Sequence, residues 1–204
     1  MTVTTPVTRR PRNGKNCYHY EYLARWGRPG PGRCGGFRGR RLVRQFGGKD
    51  LEEWARVETD EALGAEALLL GRRSDEWFAT RWQSRGGEWA DKLNSMPKYV
   101  VSSTLKDPKW SNSTALNGDA VSEVSKLKQE IDGEILVYAS YQLVHTLIEH
   151  DLVDELRLVI FPVVLGNGAR LFGETSDKKP LRLVHADTIG NGLAFVTYEV
   201  VRDA

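Results

Sequence analysis

Cysteine is scarce. Two in 204 residues cannot build a disulfide framework, so a reducing cytosol is the expected setting. Long apolar runs are missing too. None approaches the roughly eighteen residues that span a bilayer, and residues 1–30 lack the apolar core of a secretion signal. The expectation is a cytoplasmic protein with no membrane partner. Neither sign of charge dominates: 29 Lys and Arg face 27 Asp and Glu, a net charge of +2 that points to no class of partner. What is there is ordinary for a globular chain, 40% hydrophobic and 27% charged. The length suits one sizeable α/β domain or two small ones with a real core.

The distribution of charge is less ordinary. Residues 1–46 hold ten arginines, Lys15 and a single acid, Glu21, about +10, which leaves residues 47–204 at about −8. The basic segment is full of chain breakers, as in RWGRPGPGRCGGFRGRR, and has neither alternation nor helical spacing. It offers too few aliphatic residues to offset the entropy of ordering, so a disordered arm is expected. Its composition is that of a GC-rich gene translated out of frame, with protein-like text resuming between Phe46 and Leu51. Cys17, His19 and Cys34 lack a fourth ligand and the paired short spacings of a structural zinc site, so no metal is expected.

From residue 47 the chain reads as one folded domain. KDLEEWARVETDEAL has helical spacing with acids early, and AEALLLG is a short apolar run of the kind buried on both faces of a sheet. SDEWFATRW predicts a helix with Ser74 as its N-cap. KYVVSST (98–104), EILVYAS (134–140) and ELRLVIFPVV predict three further strands. Between them lie a helix capped by Asp119, with Val121, Val124, Leu127 and Ile131 on one face, and the helix YQLVHTLIEHD. LRLVHADTIGNGLAFVTYEVV reads as a hairpin turning through Gly190, Asn191 and Gly192. Alternating strands and helices closed by a hairpin predict a three-layer α/β fold: a mostly parallel central sheet, helices on both faces and an antiparallel edge.

Ligands of such sheets bind beyond the carboxyl ends of the strands. Three turns there suit an anion. In GRRS, Gly71 permits close backbone approach, Arg72 or Arg73 can grip a phosphate, and Ser74 adds a donor at a helix start. Ser102, Ser103 and Thr104 supply hydroxyls at the next strand end, and Ala139 and Ser140 are small enough for a ligand to lie against the backbone. Singly, each turn reads better as a capped helix, a polar turn or an ordinary strand-to-helix connection. Three after three strands point to a phosphorylated dinucleotide.

The order GRRS, VVSST, ILVYASYQLVHTLIEHDLVDELRLVIFPVVLGNGARLF resembles the dihydrofolate reductase-like superfamily, in particular the bacterial branch similar to the C-terminal reductase domain of riboflavin biosynthesis. The resemblance covers about residues 49–204. It implies NADPH as cofactor, with Gly71, Arg72, Arg73 and Ser74 on its phosphates and Ser102 and Ser103 at the adenosine 2′-phosphate. Ala139, Ser140, Tyr141, Gln142 and Leu143 would seat the pyrophosphate. Gly166, Asn167 and Gly168 match a structural turn of the family, and a homodimer is implied, with the hairpin or the DELRLVIF strand at its interface.

Two features depart from that pattern. Ala139 and Tyr141 stand where glycines are common; alanine suits the turn if its φ stays negative, and Tyr141 must point away or stack on the cofactor. Family members also open with a central V-x-x-S-x-D-G strand, and residues 1–46 carry no such segment. No general acid is therefore assigned. Glu52 and Glu53 belong to a solvated helix face, and His145, His150 and His185 to a helix and the hairpin. The leading expectation is an NADPH-dependent reductase of a small pterin- or pyrimidine-like substrate. Second comes a catalytically silent nucleotide-binding member of the fold, and last a nucleic-acid-binding protein acting through its basic arm.

Overall fold

In the run AEALLLG, successive side chains point to opposite faces, so a strand of leucines can be stable only with apolar cover on both sides. The computed structural model describes residues 2–3, 16–21, 48–163 and 171–202. In it Ala65–Gly71 form a strand (β3), with Leu68, Leu69 and Leu70 fully buried. Leu69 joins one core cluster and Leu68 and Leu70 join another. Glu134–Tyr138 (β6) lies beside it in parallel and divides the same way: Ile135 and Val137 go to the first core, Leu136 and Tyr138 to the second.

Helices supply the two covers. Gly48–Gly64 (α1), Arg72–Trp82 (α2) and Glu88–Ser95 (α3) bring Ala62, Phe78 and Leu93 to the second core. Ala120–Glu130 (α4) and Tyr141–Glu149 (α5) bring Val124, Leu127, Leu143, Val144, Leu147 and Ile148 to the first. Asp119 caps α4 as expected, its carboxylate accepting the Ser122 amide at 2.9 Å. None of the described helices is long and apolar enough to cross a membrane.

Lys98–Val101 (β4) and Ser113–Leu116 (β5) extend the parallel sheet outward from β3. On the other side Glu155–Ile160 (β7) pairs antiparallel with Leu193–Val200 (β9), which pairs with Leu181–Ile189 (β8). The expected hairpin is present, with Gly190 at φ +61 in its turn. Glycine is required there, since a Cβ would lie 2.6 Å from the Asp50 Cα of α1. The turn and α1 are tied: Glu53 accepts the Gly190 amide at 2.6 Å, and Asp50 accepts that of Asn191.

The centre of the sheet corrects the sequence reading. Thr2–Val3 (β1) and Asn16–Glu21 (β2) are strands. β2 runs parallel to both β6 and β7, with Tyr18 opposite Val137 and Leu156, and β1 wedges antiparallel between β2 and β7. The place that the resemblance assigns to a first strand is thus taken by NCYHYE. Residues 4–15, 22–47 and the Gly166–Gly168 turn lie outside the described residues. NCYHYE escaped notice because it has no apolar alternation; ladders on both sides hold it. β5 and α3 were also unforeseen: STAL is short and polar, and EWADKLNS follows a double glycine. The helix after β3 begins at Arg72 with Gly71 as N-cap, so Ser74 sits inside its first turn and not at the cap.

One buried ionic cluster marks the opposite end of the strands from the three turns. The Arg157 guanidinium, its side chain 4% exposed, lies 3.1 Å from Glu61, 3.2 Å from Glu155 and 3.9 Å from Glu134. Burial, opposed by the nearby Arg157 charge, leaves the Glu61 carboxyl well above the usual carboxylate range.

Two predictions follow from this packing. Leu69→Ala should lower unfolding free energy by about 3 kcal/mol in urea titration, because its neighbours in the two-sided sheet cannot collapse into the space. The Glu61 effect has a definite sign. Between the ordinary carboxylate value and the raised native one, the folded chain holds a proton that the unfolded chain has released, so stability falls as pH climbs through that interval. Urea midpoints should therefore drop from mildly acid to neutral pH, and Glu61→Gln should flatten the slope; equal slopes would refute this.

Candidate cofactor-binding site

The order of the strands decides where a ligand fits. From β3 the chain passes through α2 and α3 on one face and moves outward to β4. From β6 it passes through α5 on the other face and moves the opposite way to β7. The neighbouring carboxyl ends of β3 and β6 therefore send their helices apart, which opens a crevice between them. The GRRS and YASYQ turns sit on its two lips, and the SST turn follows β4 one strand along.

The turns bond to one another. The Gly71 amide donates to Ser140 Oγ at 2.9 Å, Ser140 Oγ donates to the Tyr138 carbonyl at 3.0 Å, and the Ser140 amide donates to Ser74 Oγ at 3.1 Å. Arg72 closes the other junction, its Nη1 donating to Thr104 Oγ1 at 3.1 Å and its Nε to Glu76 at 2.8 Å. Ser102 Oγ accepts the amides of Thr104 and Leu105 at 3.3 and 3.1 Å, which shapes its own turn. Arg73, Ser103 and Gln142 are exposed. Arg73 makes no hydrogen bond or ion pair among the described residues.

The link from β6 to α5 is only two residues long, Ala139 and Ser140, and both are left-handed, at φ +52 and +50. The condition set for alanine here, a negative φ, is not met: so abrupt a reversal needs a conformation that costs a side-chain-bearing residue on the order of 1 kcal/mol or more. Strain of that kind concentrates where function demands a particular backbone path. The first intrahelical bond of α5 runs from the Val144 amide to the Ser140 carbonyl, so the amides of Tyr141, Gln142 and Leu143 have no partner within the helix.

Of the expected residues, Gly71, Arg72, Arg73, Ser74, Ala139 and Ser140 gather at the crevice, with Ser102 and Ser103 alongside. Ser74 is 7% exposed, however, and its hydroxyl is engaged by Ser140. Leu143 points into the first core and contributes only backbone. The Tyr141 ring packs partly buried against that core, edge-on to His145 at 5.8 Å between centroids, so of the two options it points away. His145 is tied to the Leu171 carbonyl at 2.8 Å, His150 ends α5, and His185 lies on β8 beside Phe195. Thr104 stands in one of the anion-suited turns but outside the set that the resemblance implies. Its role as the landing point of Arg72 depends on a contact across 32 positions that no local pattern shows.

Comparison with known proteins agrees with this fold. Residues 44–195 match the RibD C-terminal domain family, beginning close to where the composition changes. The Bacillus subtilis (strain 168) protein YyaP, itself uncharacterized, is 32% identical over 145 residues, which are 69% of this chain and 77% of YyaP. Two crystal structures share the fold. One, from Shewanella sp. PV-4 and assigned by name to riboflavin biosynthesis, has a TM-score of 0.59 at 19% identity over 72% of this chain and 78% of its own. The other, a pyrimidine reductase-like protein from Corynebacterium diphtheriae, has a TM-score of 0.50 at 14% identity over 83% of each chain. Arrangement and sequence together place this chain in the RibD C-terminal domain family, with a reductase-type, dihydrofolate reductase-like fold.

Proposed function

We infer that this chain is an NADPH-dependent reductase of a small heterocyclic substrate, pterin- or pyrimidine-like. The observation that carries the reading is the crevice between β3 and β6, flanked by an exposed arginine, a glycine and the free amides of a helix start. The pyrimidine reductase-like neighbour supports the substrate class.

The residues present fit a dinucleotide. Gly71 has an ordinary φ of −80, and a Cβ placed there would meet nothing closer than Ser140 at 3.8 Å. Neither backbone conformation nor internal packing requires glycine, so the bare position leaves room for a ligand. Arg73 would hold a phosphate, the Tyr141–Leu143 amides the pyrophosphate, and Ser103 with Thr104 the 2′-phosphate edge. Bound there, the dihydronicotinamide would supply a hydride, and the protein's task is to hold cofactor and substrate face to face and keep water out. Arg72 has a different part: engaged by Glu76 and Thr104, it fixes the spacing between the β3 and β4 turns.

Calorimetric titration tests this. NADPH should bind at micromolar Kd and more tightly than NADH. Arg73→Ala should weaken NADPH about tenfold, the loss of one charge-assisted contact. Gly71→Ala should weaken it as well while leaving the thermal midpoint unchanged, since no neighbour is crowded. Failure of a folded sample to bind NADPH would overturn the reading; binding without turnover on pterin or pyrimidine substrates would favour the silent nucleotide-binding alternative.

The proposal extends to a homodimer. β7 is paired along both sides, so the DELRLVIF strand offers no free edge, whereas β8 is the outer strand and its Leu183 and Val184 are more than half exposed. Sedimentation should give twice the chain mass, and Val184→Lys should return it to one; a monomer at every concentration would refute this.

A further inference from the structure

We propose that Ser140 is a positioning residue of the crevice, holding its two lips in register without touching the ligand. The inference rests on the dinucleotide reading above and assigns two residues that the resemblance places on phosphate to a different task.

The chemistry of one hydroxyl carries it. Ser140 Oγ has a single proton, donated to the Tyr138 carbonyl at 3.0 Å, and it accepts the Gly71 amide at 2.9 Å. It thereby spans both lips: Tyr138 ends β6, and Gly71 ends β3. From the other direction the Ser140 amide donates to Ser74 Oγ at 3.1 Å. The result is a reciprocal latch in which each serine binds the other's turn, and Ser74, at 7% exposure, has little surface left for a ligand.

The latch also explains a conformation that is otherwise costly. Ala139 and Ser140 both lie near φ +50, where a side chain is disfavoured. Ser140 can hold that path only while its hydroxyl and amide are both engaged, and holding it aims the Tyr141–Leu143 amides at the crevice. The start of α2 on one lip and that of α5 on the other are thus kept at a fixed separation. A pyrophosphate that touches both needs that separation; a ligand that touches only the β4 side does not.

The experiment compares four forms of the full chain: wild type, Ser140→Gly, Ser74→Ala and the double variant, with Ala139→Gly as control. Each is titrated with NADPH and with adenosine 2′,5′-bisphosphate, which carries the 2′-phosphate but no pyrophosphate bridge. Expected is a loss of about tenfold in NADPH affinity for Ser140→Gly, roughly the worth of one hydrogen bond. Ser74→Ala should lose a similar amount, and the double variant little more than either single, because they break one latch. Affinity for the bisphosphate should be unchanged in all of them. Ala139→Gly, which relieves φ and leaves the latch intact, should exchange the Gly71 and Ser140 amides at the wild-type rate. Hydrogen exchange at the Gly71 and Ser140 amides should accelerate in the latch variants alone. Glycine suits the left-handed turn, so Ser140→Gly should fold; if it does not, Ser74→Ala carries the same comparison.

Wild-type binding with equal affinity in the latch variants overturns the positioning role and leaves the dinucleotide reading standing. Losses that are equal for NADPH and the bisphosphate, or fully additive in the double variant, also overturn it. Wild type that binds neither ligand overturns both.

Discussion

Two neighbouring parallel strands, each buried on both faces, whose helices must leave in opposite directions: this constraint governs the rest of the molecule. β3 and β6 divide their leucines, isoleucine and valine between two cores, so neither can tolerate exposure of either face. Once α2 covers one face and α5 the other, the ends of the two strands part and a cleft exists before any functional residue is considered. The anion-friendly chemistry at its rim then comes from helix geometry, because every helix start leaves amides without partners.

Much of this was legible in the sequence because it is written in local pattern. AEALLLG and EILVYAS announce strands covered on both sides, YQLVHTLIEHD shows a single apolar face, and Asp119 is a cap by its chemistry. The central strand was not legible. NCYHYE has no alternation and lies among breakers; its place comes from pairing with β6 and β7, strands more than a hundred residues away. The site divides along the same line. Which turns form the rim follows from strand order, but which hydroxyls are still free for a ligand depends on contacts across 69, 66 and 32 positions. A sequence motif names the residues that stand at a site and says nothing of those already bound to one another.

The two arginines after β3 illustrate the distinction. They are chemically alike and adjacent, yet only one of them is engaged by its neighbours. Arg72 runs back along α2 to Glu76 and across to Thr104, an exposed arrangement worth little to global stability. Its consequence is local: it pins the β4 turn beside the β3 turn, as Ser140 pins the β6 turn on the other side. Arg73, exposed, has no such partner among the described residues.

Seen this way, the three turns form a frame in which the internal bonds are as functional as the groups left free. A rim built from flexible serines and arginines would have to be ordered by its ligand, and that ordering would be subtracted from affinity. Here a left-handed pair of residues, two serines and one arginine have done the ordering during folding. The strain at Ala139 and Ser140 is consistent with that: a conformation disfavoured by about 1 kcal/mol or more per residue persists because neighbouring bonds hold it, and it starts α5 with three amides that have no partner within the helix. Replacing the turn by glycines would remove the strain but also the hydroxyl that ties the β6 turn to the β3 turn. The pairing of non-glycine residues with a serine lock is therefore one physical solution, in which side-chain bonds do what backbone freedom would otherwise do.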